Sequence, residues 1–219
     1  MKTSRLFYAL IAAIVLLHAA AATADSIDMN DPRRTVGREG DVRIDAQLVQ
    51  DTVSPGSPIA VTWQIENLSA TPVAVADKVA DATYDADSRT ITLSIGSEVP
   101  QDGKMPHVVT IAPGEKRLFR TGATPALAGA AARTSLAAPR FVQVKVSILR
   151  DLAPFAQLIA AQSESRQPRA AQPLSDELFD QWFESNDTIF LNTVPVRFSA
   201  RRGMAGFASA DQRASGGGM

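Results

Sequence analysis

The chain contains no cysteine. That absence excludes a disulfide scaffold, thiolate zinc, an iron–sulfur cluster and a cysteine nucleophile. Histidine is almost as scarce, present only as His18 and His107. His18 lies in a leading segment expected to be removed, and one remaining histidine cannot build a multi-histidine metal site within one chain. There is no basic excess: 22 Lys and Arg stand against 23 Asp and Glu, a formal charge of −1. With nothing to draw in a phosphate backbone, nucleic acid is not expected as a partner. No G-x-S-x-G elbow, no S-x-x-K pair and no glycine-rich phosphate loop occurs. What is present is ordinary for a globular protein, with 45% hydrophobic and 21% charged residues in 219. That length fits one domain with attachments.

Residues 1–24 read as a secretory signal peptide. Lys2 and Arg5 make a positive start, residues 6–17 an apolar run, and Ala22-Thr23-Ala24 the small–x–small pattern that signal peptidase accepts before Asp25. The competing reading is a retained membrane anchor, for which the apolar stretch is at the short limit. Cleavage predicts a periplasmic or secreted protein, and contact with a membrane only if the signal segment is retained. Without disulfides, packing has to supply the stability of an exported chain.

From Asp41 onward the hydrophobic period is two. Val42, Ile44, Ala46 and Leu48 alternate with polar neighbours, as do Ile59, Val61, Trp63 and Ile65, then Ile91, Leu93 and Ile95, then Val142, Val144, Val146 and Ile148. Each run predicts a half-buried antiparallel strand. Trp63 falls on a core face, so its indole N–H requires an acceptor there. A last strand is expected over residues 188–198, interrupted at Pro195. Ser54-Pro55-Gly56 and Ala112-Pro113-Gly114 carry the proline–glycine order of a type II turn. Two short helices are expected before the last strand. Asp151 caps the first, with Pro154 in its opening turn; Ser175 caps the second, with Asp176 and Glu177 at its positive end.

The segments "VSPGSPIAVTWQIENLSATPVAV" (53–75) and "VVTIAPGEKRLF" (108–119) resemble hairpins of bacterial immunoglobulin-like domains. The resemblance covers residues 41–150 and implies a fold type, often a binding or spacer module, and brings no catalytic residue. The expected fold class is therefore mainly β, an antiparallel immunoglobulin-like β-sandwich with one or two short helices near the C-terminal part. The expected organisation is a signal peptide (1–24), a flexible N-terminal segment (25–40), the sandwich (41–198) with a helical insertion at about 151–186, and a disordered tail (199–219). The alanine-rich stretch 121–139 breaks the strand rhythm, and composition leaves it open between loop and helix.

Few groups in the chain can carry chemistry. His107 is the one histidine base and reads as a strand-edge residue. Asp77, Asp81, Asp85 and Asp87 form an acidic stretch; Asp81, Asp85 and Asp87 are calcium candidates, against a solvated hairpin tip. No other cofactor is expected. The aromatic group Phe179, Trp182, Phe183 and Phe190 is either a helix packed on the sheets or an exposed partner site, with Trp182 and Phe183 as its candidates. Asn67-Leu68-Ser69 and Asn186-Asp187-Thr188 fit the glycosylation sequon, with turn and helix-exit roles preferred. The leading functional expectation is a non-enzymatic exported module that binds a protein or another cell-envelope component. A periplasmic pilus-type chaperone and a carboxylate-based glycan hydrolase are the alternatives.

Overall fold

The computed structural model describes residues 27–127, 138–164 and 173–199. The expected signal peptide, nearly all of the tail and the centre of the alanine-rich stretch lie outside these residues.

Two sheets face each other across one apolar core. The smaller runs β1 (Arg34–Glu39), β2 (Val42–Leu48), β4 (Ile59–Asn67), β9 (Lys116–Ala123), antiparallel throughout. The short β3 (Thr52–Val53) lies outside it. The larger sheet is built on β10 (Phe141–Leu149). Along one edge of β10 runs β7 (Thr90–Ile95), followed by β5 (Val73–Val75) at Leu149. Outside these stand β6 (Ala80–Asp85) on β7 and β8 (Val109–Ile111) on β5. Along the other edge of β10 run β11 (Asn186–Phe190) and β12 (Val194–Pro195). The terminal β13 (Arg197–Phe198) pairs in parallel with β3.

The sequence alternation sets the two faces. Along β4 every second residue is buried, from Ile59 through Trp63 to Asn67, and β7 repeats the pattern with Ile91, Leu93 and Ile95. These side chains join those of β2 and β10 in a single cluster. Each large apolar side chain withdrawn from water contributes about 1.5–3 kcal/mol before entropy is counted. Trp63 stacks on Phe119 with ring centres 4.6 Å apart, and its indole N–H donates to Thr121 Oγ1 at 3.0 Å. The acceptor required by its burial is thus supplied. Both proline–glycine turns form. Gly56 and Gly114 have φ of +71° and +73°, and the turns close through Ser57 N to Ser54 O and Glu115 N to Ala112 O.

The structure departs from the sequence expectation at two places. Residues 25–40 were expected to be flexible, yet 34–39 form β1. Its alternation is weak because Gly37 occupies an inward position, where a Cβ would meet the Phe190 carbonyl oxygen at 2.9 Å. The larger sheet is also not wholly antiparallel, since β7 and β10 run parallel from Phe141↔Thr90 to Val146↔Ile95.

The helical part follows β10. A 3-10 turn (Ala153–Phe155) leads into α1 (Ala156–Glu164), and α2 (Asp176–Glu184) precedes β11. Asp151 Oδ1 accepts from Ala153 N at 2.9 Å, and Ser175 Oγ accepts from Leu178 N at 3.3 Å. Ser175 is the N-cap of α2, whereas Asp151 stands one residue ahead of the N-cap of its segment, Leu152. Phe155 and Trp182 meet edge to face at 5.5 Å and form a second, smaller core with Met105, Val108 and Leu149.

Candidate partner-binding surfaces

The side chains proposed from sequence as sites are dispersed. Asp81 and Asp85 are outward positions of β6, four residues apart, and Asp87 sits in the turn beyond. Asp85 caps that turn: its carboxylate accepts from Asp87 N at 3.0 Å and Ser88 Oγ at 2.6 Å. The Ser88 hydroxyl, followed by the Asp87 amide, holds the Asp85 carboxyl below its ordinary range. Among the described residues no group of three or more His, Asp or Glu side chains is gathered for a metal ion. His107 is exposed in the segment leading to β8.

Trp182 and Phe183 differ in burial. Trp182 is 2% exposed and donates from Nε1 to the Ser97 carbonyl at 3.0 Å; it belongs to the smaller core. Phe183 is exposed on α2, edge to face with Phe179 at 5.1 Å. The two sequons differ as well. Asn67 is fully buried, with its Nδ2 donating to Thr71 O and Ile111 O and its Oδ1 accepting from Ser69 N and Oγ. Every polar capacity of that side chain is engaged in closing the ends of β4, β5 and β8. Asn186 Nδ2 donates to the same Ser97 carbonyl as Trp182, at 2.9 Å.

Among the described residues the most exposed aromatic side chain lies elsewhere. Phe190, on β11, is 59% exposed and pairs across the strands with Lys145. The Lys145 ammonium stands 6.0 Å from its ring centre and 3.1 Å from Glu98 Oε1. Thr188 Oγ1 donates to the same Glu98 oxygen at 2.8 Å. Burial pushes the Glu98 carboxyl up, but the bonds from Thr188 and Lys145 and the Lys145 charge outweigh it, and the group ends below its ordinary 4.5. Phe141, four residues before Lys145 on β10, is also an exposed hydrophobic on this outer face. At ~3.3 Å per residue the two aromatic positions stand about 13 Å apart along the strand direction. Gln143 lies between them on β10, and Thr92 and Ser94 extend the same outer face on β7, on the side of β10 away from Phe190.

Phe190 was within reach of sequence reasoning as a member of the aromatic group. Phe141 was missed, although its phase gave it away: Val142, Val144 and Val146 point inward, so Phe141 must point outward.

No protein-family model, no curated protein and no solved structure matches this chain. Among the described residues no helix is long and apolar enough to cross a membrane.

Proposed function

We propose that this chain is an exported, non-enzymatic protein, periplasmic or secreted, whose immunoglobulin-like β-sandwich binds a protein partner of the cell envelope. The observation that carries this reading is the pair of uncovered phenylalanines, Phe141 and Phe190, on the outer face of the larger sheet. Large apolar rings left in water on a rigid, otherwise hydrophilic surface are the anchors that protein interfaces use, and aromatic residues are enriched there. The Lys145–Glu98 pair beside Phe190 supplies the polar rim that fixes orientation. The partner that fits presents apolar recesses about 13 Å apart, matching the ring spacing along the strands.

The test is crosslinking and affinity capture from the native envelope fraction, with the wild-type chain compared with Phe141→Ser and Phe190→Ser together. The reading requires one defined envelope protein to be captured by the wild type and lost in the variant, with an unchanged melting temperature. Equal capture by both, or no defined protein with either, rejects it.

A further inference from the structure

The outer face of the smaller sheet has a different character. The strand register places side chains from four strands in rows across it. Arg38, Arg43, Glu66 and Lys116 share one row; Val36, Asp45, Gln64 and Leu118 the next; Arg34, Gln47, Thr62 and Arg120 the third. Five cations therefore meet two carboxylates on one face, in a chain whose formal charge is −1. With strands ~4.8 Å apart and same-face residues ~6.7 Å apart, the rows span an area about 15 Å on a side.

The two signs sit at different depths. Asp45 is almost covered, its side chain 6% exposed, and it pairs with both Arg34 and Arg43. Glu66, 15% exposed, pairs with Lys116, which is 57% exposed. The carboxylates lie at sheet level beneath the cations, and what faces outward is Arg38, Lys116 and Arg120. Arg38 also lies 3.7 Å from Asp41 in the turn at the rim. The Asp31–Arg33 pair holds the opposite rim, where Gln47 Nε2 donates to Asp31.

We infer that this face is a docking surface for the anionic phosphate headgroups of a phospholipid bilayer. Guanidinium groups match phosphate oxygens with paired N–H donors, and two row-mates of the outer cations, Arg43 and Arg34, are arginines as well. A cationic area displayed on a sheet, rather than lining a groove, suits a laterally extended anionic surface. A protein partner is disfavoured because no aromatic side chain occurs in these rows and the apolar members, Val36 and Leu118, are half-buried; a protein interface needs an apolar centre. Single-stranded nucleic acid is disfavoured because no ring is offered for base stacking. The inference stands independently of the partner proposed for the opposite sheet.

The experiment is co-sedimentation of the full chain with vesicles of phosphatidylcholine, alone or mixed with phosphatidylglycerol. Binding is expected to the mixed vesicles only, and to weaken as ionic strength rises and the screening length falls to about 8 Å. Each exposed cation removed costs about fivefold in affinity, so Arg38→Ser with Arg120→Ser is expected to bind about thirtyfold more weakly. Lys104→Ser, which removes an exposed cation outside the rows, is expected to leave binding unchanged, and Arg120→Lys to retain most of it. A melting curve for each variant establishes that it is folded; should the double variant fail to fold, Arg120→Ser alone carries the test. Equal sedimentation with neutral vesicles, undiminished binding by a folded Arg120→Ser chain, or tighter binding to an acidic peptide or single-stranded DNA than to the mixed vesicles would overturn the inference.

Discussion

The indole N–H of Trp182 donates to the carbonyl of Ser97, 85 residues earlier in the chain, and the bond is buried. It ties α2 to the segment just after β7, and Asn186 reinforces the same carbonyl from the start of β11. Trp182→Phe keeps most of the packing against Phe155 and removes one donor, so it is expected to cost about 1 kcal/mol. Trp182→Ala empties the smaller core and is expected to cost about 3–5 kcal/mol. Urea unfolding followed by circular dichroism separates the two.

Asn67 is the least replaceable polar residue of the core. Asn67→Asp keeps the shape but places a carboxylate against the carbonyls of Thr71 and Ile111, which now receive hydrogen bonds from the amide. A loss of roughly 3 kcal/mol or more is expected, because acceptors face acceptors in a buried place. Thermal melting checks it. Asn67→Asp melting within 2 °C of wild type, a margin of about 0.5 kcal/mol, would contradict this account.

Gly96 combines two demands that no other residue meets. Its φ is +89°, and a Cβ there would lie 2.5 Å from the Ser147 carbonyl oxygen. Gly96→Ala is expected to destabilise by about 3 kcal/mol or more, through backbone strain and displacement of β10. Gly56 shares the positive φ but has nothing within 4 Å of a Cβ. Gly56→Ala should therefore lose only the conformational strain, about 1–2 kcal/mol. Denaturant midpoints of the two variants, measured side by side, give the difference due to the close approach.

Three carboxyls give the fold a common response to acid. The hydrogen bond from Arg33, before all other causes, holds Asp31 well below its ordinary 3.8; Asp85 and Glu98 are lowered as well. A carboxyl with a depressed folded value supports the fold above its unfolded value and withdraws that support as pH falls through the folded one. The melting temperature is expected to be flat down to about pH 5 and to drop below about pH 4. Asp31→Asn should lower the neutral-pH value and flatten the acid slope. An identical slope in that variant would remove Asp31 from the account.

Much of the fold was legible in the alternation. The runs around Val42, Ile59, Ile91 and Val142 each became a strand with the expected face inward, because burial of one face in two sets that period directly. The cap at Ser175 was legible because capping is local chemistry; Asp151 stands one residue too early to cap its segment, whose N-cap is Leu152. Register was not. Nothing in the β7 and β10 sequences says that they run parallel, and nothing in Arg34, Arg43 or Arg120 says that they share a face. Those relations arise only when strands far apart in sequence are laid side by side. Trp182 and Phe183 show the same limit on a helix: adjacent in sequence, one is buried in the smaller core and the other is exposed, and the composition of the stripe did not reveal which was which.

The position of β10 has a consequence for how the chain comes to be made. It is the spine of the larger sheet, with Val146 paired at once to Ile95 on one side and Ile189 on the other. Every partner on its first edge is synthesised before it, and every partner on its second edge more than 35 residues after it. A nascent polypeptide halted between the two would hold a finished apolar strand with one flank bare, the template on which stray strands assemble. The sheet therefore closes only when the C-terminal strands arrive, a slow, long-range step.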